Sequence, residues 1–151
     1  MTLPLPIQGT EPITRKIVIP ITPTPQKRHR SRAFKTKTGR YMSMAYKDKS
    51  QRTNEDEIKH HMREQWYRQP IETAIRLSVK FFYNQPKSWS KKKKESTPYK
   101  ITKPDLSNLV KQIEDCGNGI IWKDDNLIIS YGSTCKKYTS GEERTEIEIQ
   151  Y

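Results

Sequence analysis

Between Lys103 and Ile128 the chain reads KPDLSNLVKQIEDCGNGIIWKDDNLI, and five carboxylates fall inside it: Asp105, Glu114, Asp115, Asp124 and Asp125. The chain around them is strongly basic, with 29 Lys and Arg against 17 Asp and Glu and a formal net charge of +12. Taken singly, each acid has an ordinary structural use. Asp105 can cap a helix, and Asp124-Asp125 can shape the turn into Asn126. Taken together, they come from the start of a helix and from the segment after it, and a tight Gly117-Asn118-Gly119 turn folds one toward the other. Converging carboxylates repel unless a cation sits between them, and hard oxygen donors suit Mg²⁺ or Mn²⁺. In a chain rich in phosphate-holding cations, such an ion can polarise a phosphodiester and generate hydroxide from water. Lys111, on the same helix, can stabilise the extra charge of the transition state. The chemistry indicated is metal-assisted phosphodiester hydrolysis.

The elements that must position these groups are partly legible. From Leu106 to about Cys116 the apolar residues Leu106, Leu109, Val110, Ile113 and Cys116 recur at spacings of three and four, which predicts one helical face. Asn108, Lys111 and Asp115 share a second face, Pro104 stiffens the approach, and the two glycines end the helix. Ile120-Ile121-Trp122 then begins a strand. Upstream, Arg15–Pro20 (RKIVIP) predicts a first strand ended by proline, and AIRLSVKFFY (Ala74–Tyr83) predicts another. Asn54-Glu55-Asp56-Glu57 has the form of a capping box, and Ile58, Met62 and Trp66 follow at helical spacing, so a helix is expected over about 54–67. NLIISYGSTCKKY and RTEIEIQY read as two closing strands joined near Ser140-Gly141. The order strand, helix, strand, helix, strand, strand is that of an α+β domain with a small mixed sheet of about four strands and two main helices.

Two stretches read as basic loops. TPTPQKRHRSRAFKTKTGRY carries Lys27, Arg28, Arg30, Arg32, Lys35, Lys37 and Arg40 with no acid among them, while Phe34 and Tyr41 interrupt the run. NQPKSWSKKKKESTPYKITK places Trp89 beside Lys91, Lys92, Lys93 and Lys94. Both can track a phosphate backbone, with Trp89 or Phe34 stacking on an exposed base or simply packing; both can equally be solvated surface.

Bulk properties agree with a polyanion-binding domain. At 151 residues one compact domain is expected, with residues 1–15 a proline-rich flexible arm and 16–151 the folded unit. The mean hydropathy of −0.99 allows only a modest core, so association with a second copy is plausible on physical grounds. A sequence pI near 9.7 implies an anionic partner, nucleic acid before an acidic membrane surface. No apolar run approaches the roughly 20 residues that span a bilayer. The amino terminus lacks the charged and apolar regions of a secretion signal. Cys116 and Cys135 show no metal-ligand spacing and read as reduced thiols. The expectation is a cytoplasmic protein with no membrane partner.

The acidic stretch resembles the RusA family of crossover junction endodeoxyribonucleases, the Holliday junction resolvases common on bacterial and prophage genomes. The family pattern is a basic residue, often Pro, then Asp-x-Asp-Asn-x-x-Lys, a further Asp in the helix, a small turn and an Asp-Asp pair. PKSWSKKKK looks like the family's loop before that motif, and IVIPITPTPQKRHR resembles its first strand and turn. The likeness spans about residues 16–150 in layout, and its specific part is Lys103–Asp125. It implies a homodimeric α+β nuclease that resolves four-way DNA junctions by paired symmetric nicks in recombination and repair, each subunit offering one Mg²⁺-dependent site (Mn²⁺ an alternative). Carried over by position, Asp105, Lys111 and Asp125 are the catalytic residues. Asp105, Asp124 and Asp125 are metal ligands, with Ser107 and Asp115 as further candidates. Lys27, Arg28, Arg30, Arg32, Trp89 and Lys91–Lys94 are the expected DNA contacts.

Ser107 departs from the pattern, because it stands where the family has its second aspartate. A hydroxyl can ligate Mg²⁺, but one negative charge is lost. Asp115, Glu114 or Asp124 can compensate, or the ion can keep an added water. Two rivals remain: a non-catalytic branched-DNA-binding protein of the same fold, and a basic RNA- or DNA-binding structural module whose acids only cap and turn. Serine is also well tolerated in a first helical turn.

Overall fold

The computed structural model describes residues 11–26, 30–46, 49–139 and 141–151, and of residues 30, 31 and 44–46 the backbone alone. The elements in chain order are β1 (Thr14–Ile19), β2 (Arg30–Lys35), β3 (Tyr41–Tyr46), α1 (Lys49–Gln65), β4 (Ile75–Tyr83), α2 (Lys91–Ser96), α3 (Leu106–Gly117), a 3-10 turn (Asp125–Leu127), β5 (Ile128–Tyr131), β6 (Lys136–Thr139) and β7 (Arg144–Gln150). The α+β class expected from the sequence holds, with five strands in the main sheet.

β4 organises that sheet. One edge pairs antiparallel with β7, from Arg76↔Gln150 to Phe82↔Arg144, and β1 pairs antiparallel with the far side of β7. The other edge pairs parallel with β5 near Ile75 and then with β6 from Lys80 to Tyr83. Between β5 and β6 the chain leaves the edge at Gly132, whose amide still donates to the Leu77 carbonyl at 2.9 Å. A Cβ at Gly132 would stand 1.8 Å from Ser78 Oγ, so glycine is what permits this approach. One sheet face is apolar by alternation: Ile17 and Ile19, the odd positions of β4 from Ile75 to Phe81, and Ile147 and Ile149 are all buried. Helices α1 and α3 close over it with Ile58, Met62, Leu109, Val110, Ile113 and Cys116. The opposite face carries Lys16 and Glu148 at 3.9 Å and Arg144 and Glu146 at 2.6 Å.

Five local readings are corrected. Helix α1 begins at Lys49, so Asn54 lies inside it and the capping box does not form. Nothing between Lys49 and Thr53 breaks a helix, and buried Gln51 donates to Glu55 one turn on at 3.2 Å, while Asn54 bonds the Thr24 hydroxyl. The first basic stretch contains the β2–β3 hairpin, with Phe34 opposite Met42 and Gly39 at φ 86° in its turn. The second contains α2, where the Ser90 hydroxyl accepts from the Lys93 amide at 3.2 Å. Ile120–Trp122 is no strand. The Gly117 carbonyl collects the Ile120 and Ile121 amides at 3.1 and 2.9 Å, and Trp122 makes isolated bridges to Ile71 and Asn118. The expected amino-terminal arm also ends earlier than residue 15, because β1 starts at Thr14 and Ile13 exchanges backbone bonds with Tyr151 at 2.7 and 3.0 Å.

The end of α3 is tightly packed against Trp122. A Cβ built on Gly117 would lie 2.4 Å from Cζ2 of fully buried Trp122. Gly→Ala in a helix ordinarily stabilises by up to about 1 kcal/mol; here the sign reverses. Gly117→Ala is expected to cost about 1–3 kcal/mol, read as a lower urea midpoint at an unchanged m-value.

Candidate active site

The segment that delivers Asp105 is held by β6. Tyr99 bridges Tyr138, the Lys100 amide donates to the Lys137 carbonyl at 3.0 Å, and the Lys137 ammonium donates to the Thr102 and Pro104 carbonyls, both at 2.8 Å. One charged side chain therefore anchors two carbonyls just before the aspartate. Asp105 occupies the N-cap position of α3 with extended backbone, and its carbonyl accepts from the Leu109 amide at 3.2 Å. Its exposed carboxylate makes no capping hydrogen bond. Capping thus accounts for the backbone at Asp105 but not for its charge.

The other acids gather at the far end of the helix. Asp124 does have a turn role: its Oδ1 accepts from the Asn126 amide at 2.9 Å. Partial burial, the hydrogen-bonded carboxylate of Asp124 and the charge of Asp115 hold the Asp125 carboxyl above the usual range, while a hydrogen bond from Asn118 opposes them. Burial likewise raises Glu114, with Asp125 and Asp115 adding to the shift and the Tyr131 hydroxyl and Lys111 offsetting it. The Gln26 side chain donates to Asp115 Oδ2, and its amide donates to the Asn108 carbonyl at 3.1 Å. Those two bonds dock the start of the basic run on α3.

A groove of about 510 Å³ runs between these two ends. Leu106, Ser107, Val110, Lys111 and Glu114 line it from α3, facing Tyr131, Gly132 and Cys135. Ser107, Lys111 and Glu114 share a face because four and seven residues return a helix to nearly the same side. Lys111 therefore lines the groove with Ser107 and Glu114, and it lies one turn before Asp115 on the same helix. The Tyr131 hydroxyl donates to Glu114 across the groove, and burial followed by the Glu114 interaction drives its pKa upward. Tyr131, Gln26 and Lys137 were invisible to sequence reasoning. Their roles come from pairings 17, 89 and 33–35 residues away, which no local pattern encodes.

Hard oxygen donors for a divalent cation are present but divided. Asp124 and Asp125 crowd each other beside Asp115, and a cation would relieve that repulsion. Mg²⁺ is commonly held by one or two carboxylates and water, which this group suits. Asp105 lies ten residues from Asp115, roughly 15 Å along the helix axis. Among the described residues no three His, Cys, Asp or Glu side chains form a metal-holding group. The expected set of Asp105, Ser107, Asp115, Asp124 and Asp125 therefore does not close around one point in a single chain.

The expected DNA contacts are placed unevenly. Lys27 and Arg28 lie outside the described residues, and of Arg30 only the backbone is described, opening β2. Arg32 is exposed on β2. Lys91–Lys94 form most of α2, largely exposed, and Lys93 sits 4.7 Å over the Trp89 ring, which is thereby half-covered. Gln85 joins the Lys94 carbonyl to Thr139 in β6 at 3.0 and 3.2 Å, so the lysine helix and the Asp105 segment hang from the same strand. Cys116 and Cys135 form no disulfide.

Glu114 makes stability depend on pH in a defined sense. A carboxyl raised by folding binds its proton more tightly in the native state, so its ionisation costs stability as pH rises through the raised value. Glu114→Gln keeps an acceptor for the Tyr131 hydroxyl and removes that charge. The variant is expected to unfold at a temperature no lower than the parent at pH 7, and to gain less than the parent between pH 7 and pH 5. Thermal melts at the two pH values check both points.

The uncharacterized protein YqaN of Bacillus subtilis (strain 168) is 37% identical over 86 residues, which are 53% of this chain and 59% of that protein. The matched chain thus spans less than two-thirds of that curated relative's length. The family model described as Endodeoxyribonuclease RusA matches residues 20–150, from the end of β1 through β7. A match that takes in β2 to β7, the Asp105 helix and the Asp124-Asp125 turn makes this chain a member of the RusA endodeoxyribonuclease family.

Proposed function

We propose that the protein is a divalent-metal-dependent endodeoxyribonuclease that resolves four-way DNA junctions by paired symmetric nicks, acting as a homodimer in cytoplasmic recombination and repair. Mg²⁺ is the favoured ion, with Mn²⁺ as a substitute. The observation that carries the reading is Asp105: an exposed carboxylate at the head of a fully framed helix, free of the capping bond that would explain it, at the family motif's leading position. Two nicks related by symmetry call for two equivalent sites, which a twofold dimer supplies. No described helix is long and apolar enough to cross a membrane.

The residues divide the work by position. Asp124 and Asp125, with Asp115 beside them, would hold the cation. When bound, it supplies Lewis-acid polarisation of the phosphodiester and a more acidic water. Lys111 brings a positive charge into the groove, where the phosphate acquires negative charge as it is attacked. Asp105 is the other catalytic carboxylate of this reading, at the far end of α3 from the Asp124-Asp125 group within one subunit, and the anchoring of the Thr102 and Pro104 carbonyls by Lys137 keeps it in place. Glu114, bonded to Tyr131 and close enough to feel Lys111, restrains that lysine and supplies an acid on the Ser107 face. Lys91–Lys94 and Arg32, with Lys27, Arg28 and Arg30, attract the backbone.

One observation favours a second reading, a branched-DNA-binding protein of the same fold that does not cut. Ser107 is neutral where the motif carries its second acid, and the carboxylates are divided between the two ends of α3. A synthetic four-way junction decides between the two. The nuclease reading expects Mg²⁺-dependent nicks at symmetry-related positions, lost roughly a hundredfold or more in Asp125→Asn and Asp105→Asn with binding retained. Ser107→Asp is expected to increase the rate or lower the Mg²⁺ concentration required. Tight binding without nicking in either Mg²⁺ or Mn²⁺ establishes the second reading instead.

A further inference from the structure

Five side chains from β4, β6, β7 and the segment before Asp105 form one column on the sheet face that carries no helix. The Arg144 guanidinium lies 3.8 Å from the Phe82 ring centroid, and Phe82 stacks on Tyr138 at 5.1 Å and 17°. Tyr138 meets Tyr99 at 5.7 Å and 46°, and the Lys136 ammonium sits 5.4 Å over the Tyr99 ring. The two ends differ. Arg144 is closed off by Glu146 at 2.6 Å and by the Glu142 carbonyl at 2.9 Å, so that end is a structural anchor. Lys136 has no carboxylate partner among the described residues, and Tyr99 is 46% exposed. Internal packing explains the closed end but leaves the open one as an un-neutralised cation on an accessible aromatic face.

The strand that carries Lys136 and Tyr138 also anchors the approach to the candidate site. In β6, Lys137 anchors the approach to Asp105, while its neighbours Lys136 and Tyr138 turn to the column. Lys100 and Lys103 on the same approach also lack carboxylate partners among the described residues. An occupant of this end needs a flat π-face for Tyr99 and an anionic group for Lys136. A nucleotide released from its base stack has both within one unit, and base–aromatic stacking tolerates any base identity.

We propose that Tyr99 and Lys136 form a stacking and phosphate contact for an unstacked nucleotide of the DNA strand that passes from the branch point toward Asp105. The base takes the Tyr99 face now covered by the Lys136 ammonium, and that ammonium moves onto the nucleotide's phosphate. The Tyr138–Phe82–Arg144 part of the column holds the platform rigid. This inference rests on the branched-DNA reading given above, and it adds a site outside the acidic motif and outside the Lys91–Lys94 helix.

The test measures affinity of the full chain, in Ca²⁺ to separate binding from cutting, for a four-way junction and for a linear duplex of the same sequence. Failure of the parent protein to bind the junction removes the branched-DNA reading itself, before any variant is considered. Given parent binding, Tyr99→Leu is expected to weaken the junction complex roughly 5- to 100-fold, the range of one base–aromatic stack, and the duplex complex far less. Tyr99→Phe is expected to restore junction affinity, because the ring rather than the hydroxyl makes the contact. Lys136→Gln is expected to lower the slope of log affinity against log salt by about one. A 2-aminopurine placed at the branch point should lose fluorescence on binding the parent and not on binding Tyr99→Leu. Junction affinity unchanged in Tyr99→Leu, or lost equally in Tyr99→Phe, overturns the stacking contact. An unchanged salt slope in Lys136→Gln overturns the phosphate contact. Melting curves of each variant separate these outcomes from misfolding: if Tyr99→Leu does not fold, the Tyr99→Phe and Lys136→Gln results decide.

Discussion

The burial of Trp122 is the constraint on which the site depends. Its side chain is fully enclosed, its ring lies against Gly117, and its indole nitrogen donates to the Glu114 carbonyl at 3.0 Å. That bond satisfies a carbonyl in the last turn of α3 that the helix itself leaves without a partner. The aromatic body contributes the apolar burial that pins the turn to the helix end. Because Trp122 is two residues before Asp124, its anchoring delivers Asp124 and Asp125 beside Asp115. Ile71 completes the arrangement, with its amide and carbonyl bonded to Ile121 and Lys123 at 2.8 and 3.0 Å. Most of this is backbone bonding and van der Waals contact. The fold therefore holds four acids near one another without needing them to attract.

The opposite end of the helix is governed by charge. Lys137 fixes the segment before Asp105 through two carbonyls, and β6, to which Lys137 belongs, is fixed in turn by parallel pairing with β4. A charged donor to two carbonyls is a stronger and more directional tie than a neutral one. The same strand supports α2 through Gln85 and the aromatic column through Tyr138. One short edge strand thus carries the approach to Asp105, the lysine helix and the open Tyr99 platform.

How much of this was legible varies with the range of the interaction. The buried face of α3 was readable because Leu109, Val110, Ile113 and Cys116 recur with the helical period and meet the core at that period. β1, β4 and β7 were readable from alternation, since one face of each is apolar. The start of α1 was misjudged because Asn54 satisfies a local capping pattern, whereas the side chain is engaged by Thr24, thirty residues away. The β2–β3 hairpin was hidden by its charge: its residues alternate without being apolar, so composition reads as loop. Ile120–Trp122 has strand-forming residue types, but the Gly117 carbonyl takes its amides before a ladder can.

By itself, the sequence determined the residue chemistry, the helix and turn of the acidic motif, and the likeness of Lys103–Asp125 to a nuclease family. These follow from local periodicity and spacing, which survive without knowledge of the fold. The tertiary structure alone decided which side chains meet. It separated Asp105 from Asp125 by the length of a helix, turned Lys111 toward Ser107, Glu114 and Tyr131, and placed Gln26 on Asp115. Helix rise sets that separation, and strand pairing between distant segments sets those meetings. Neither is written in any short stretch of residues, which is why the serine at 107 could be noticed in the sequence but its surroundings could only be found in the fold.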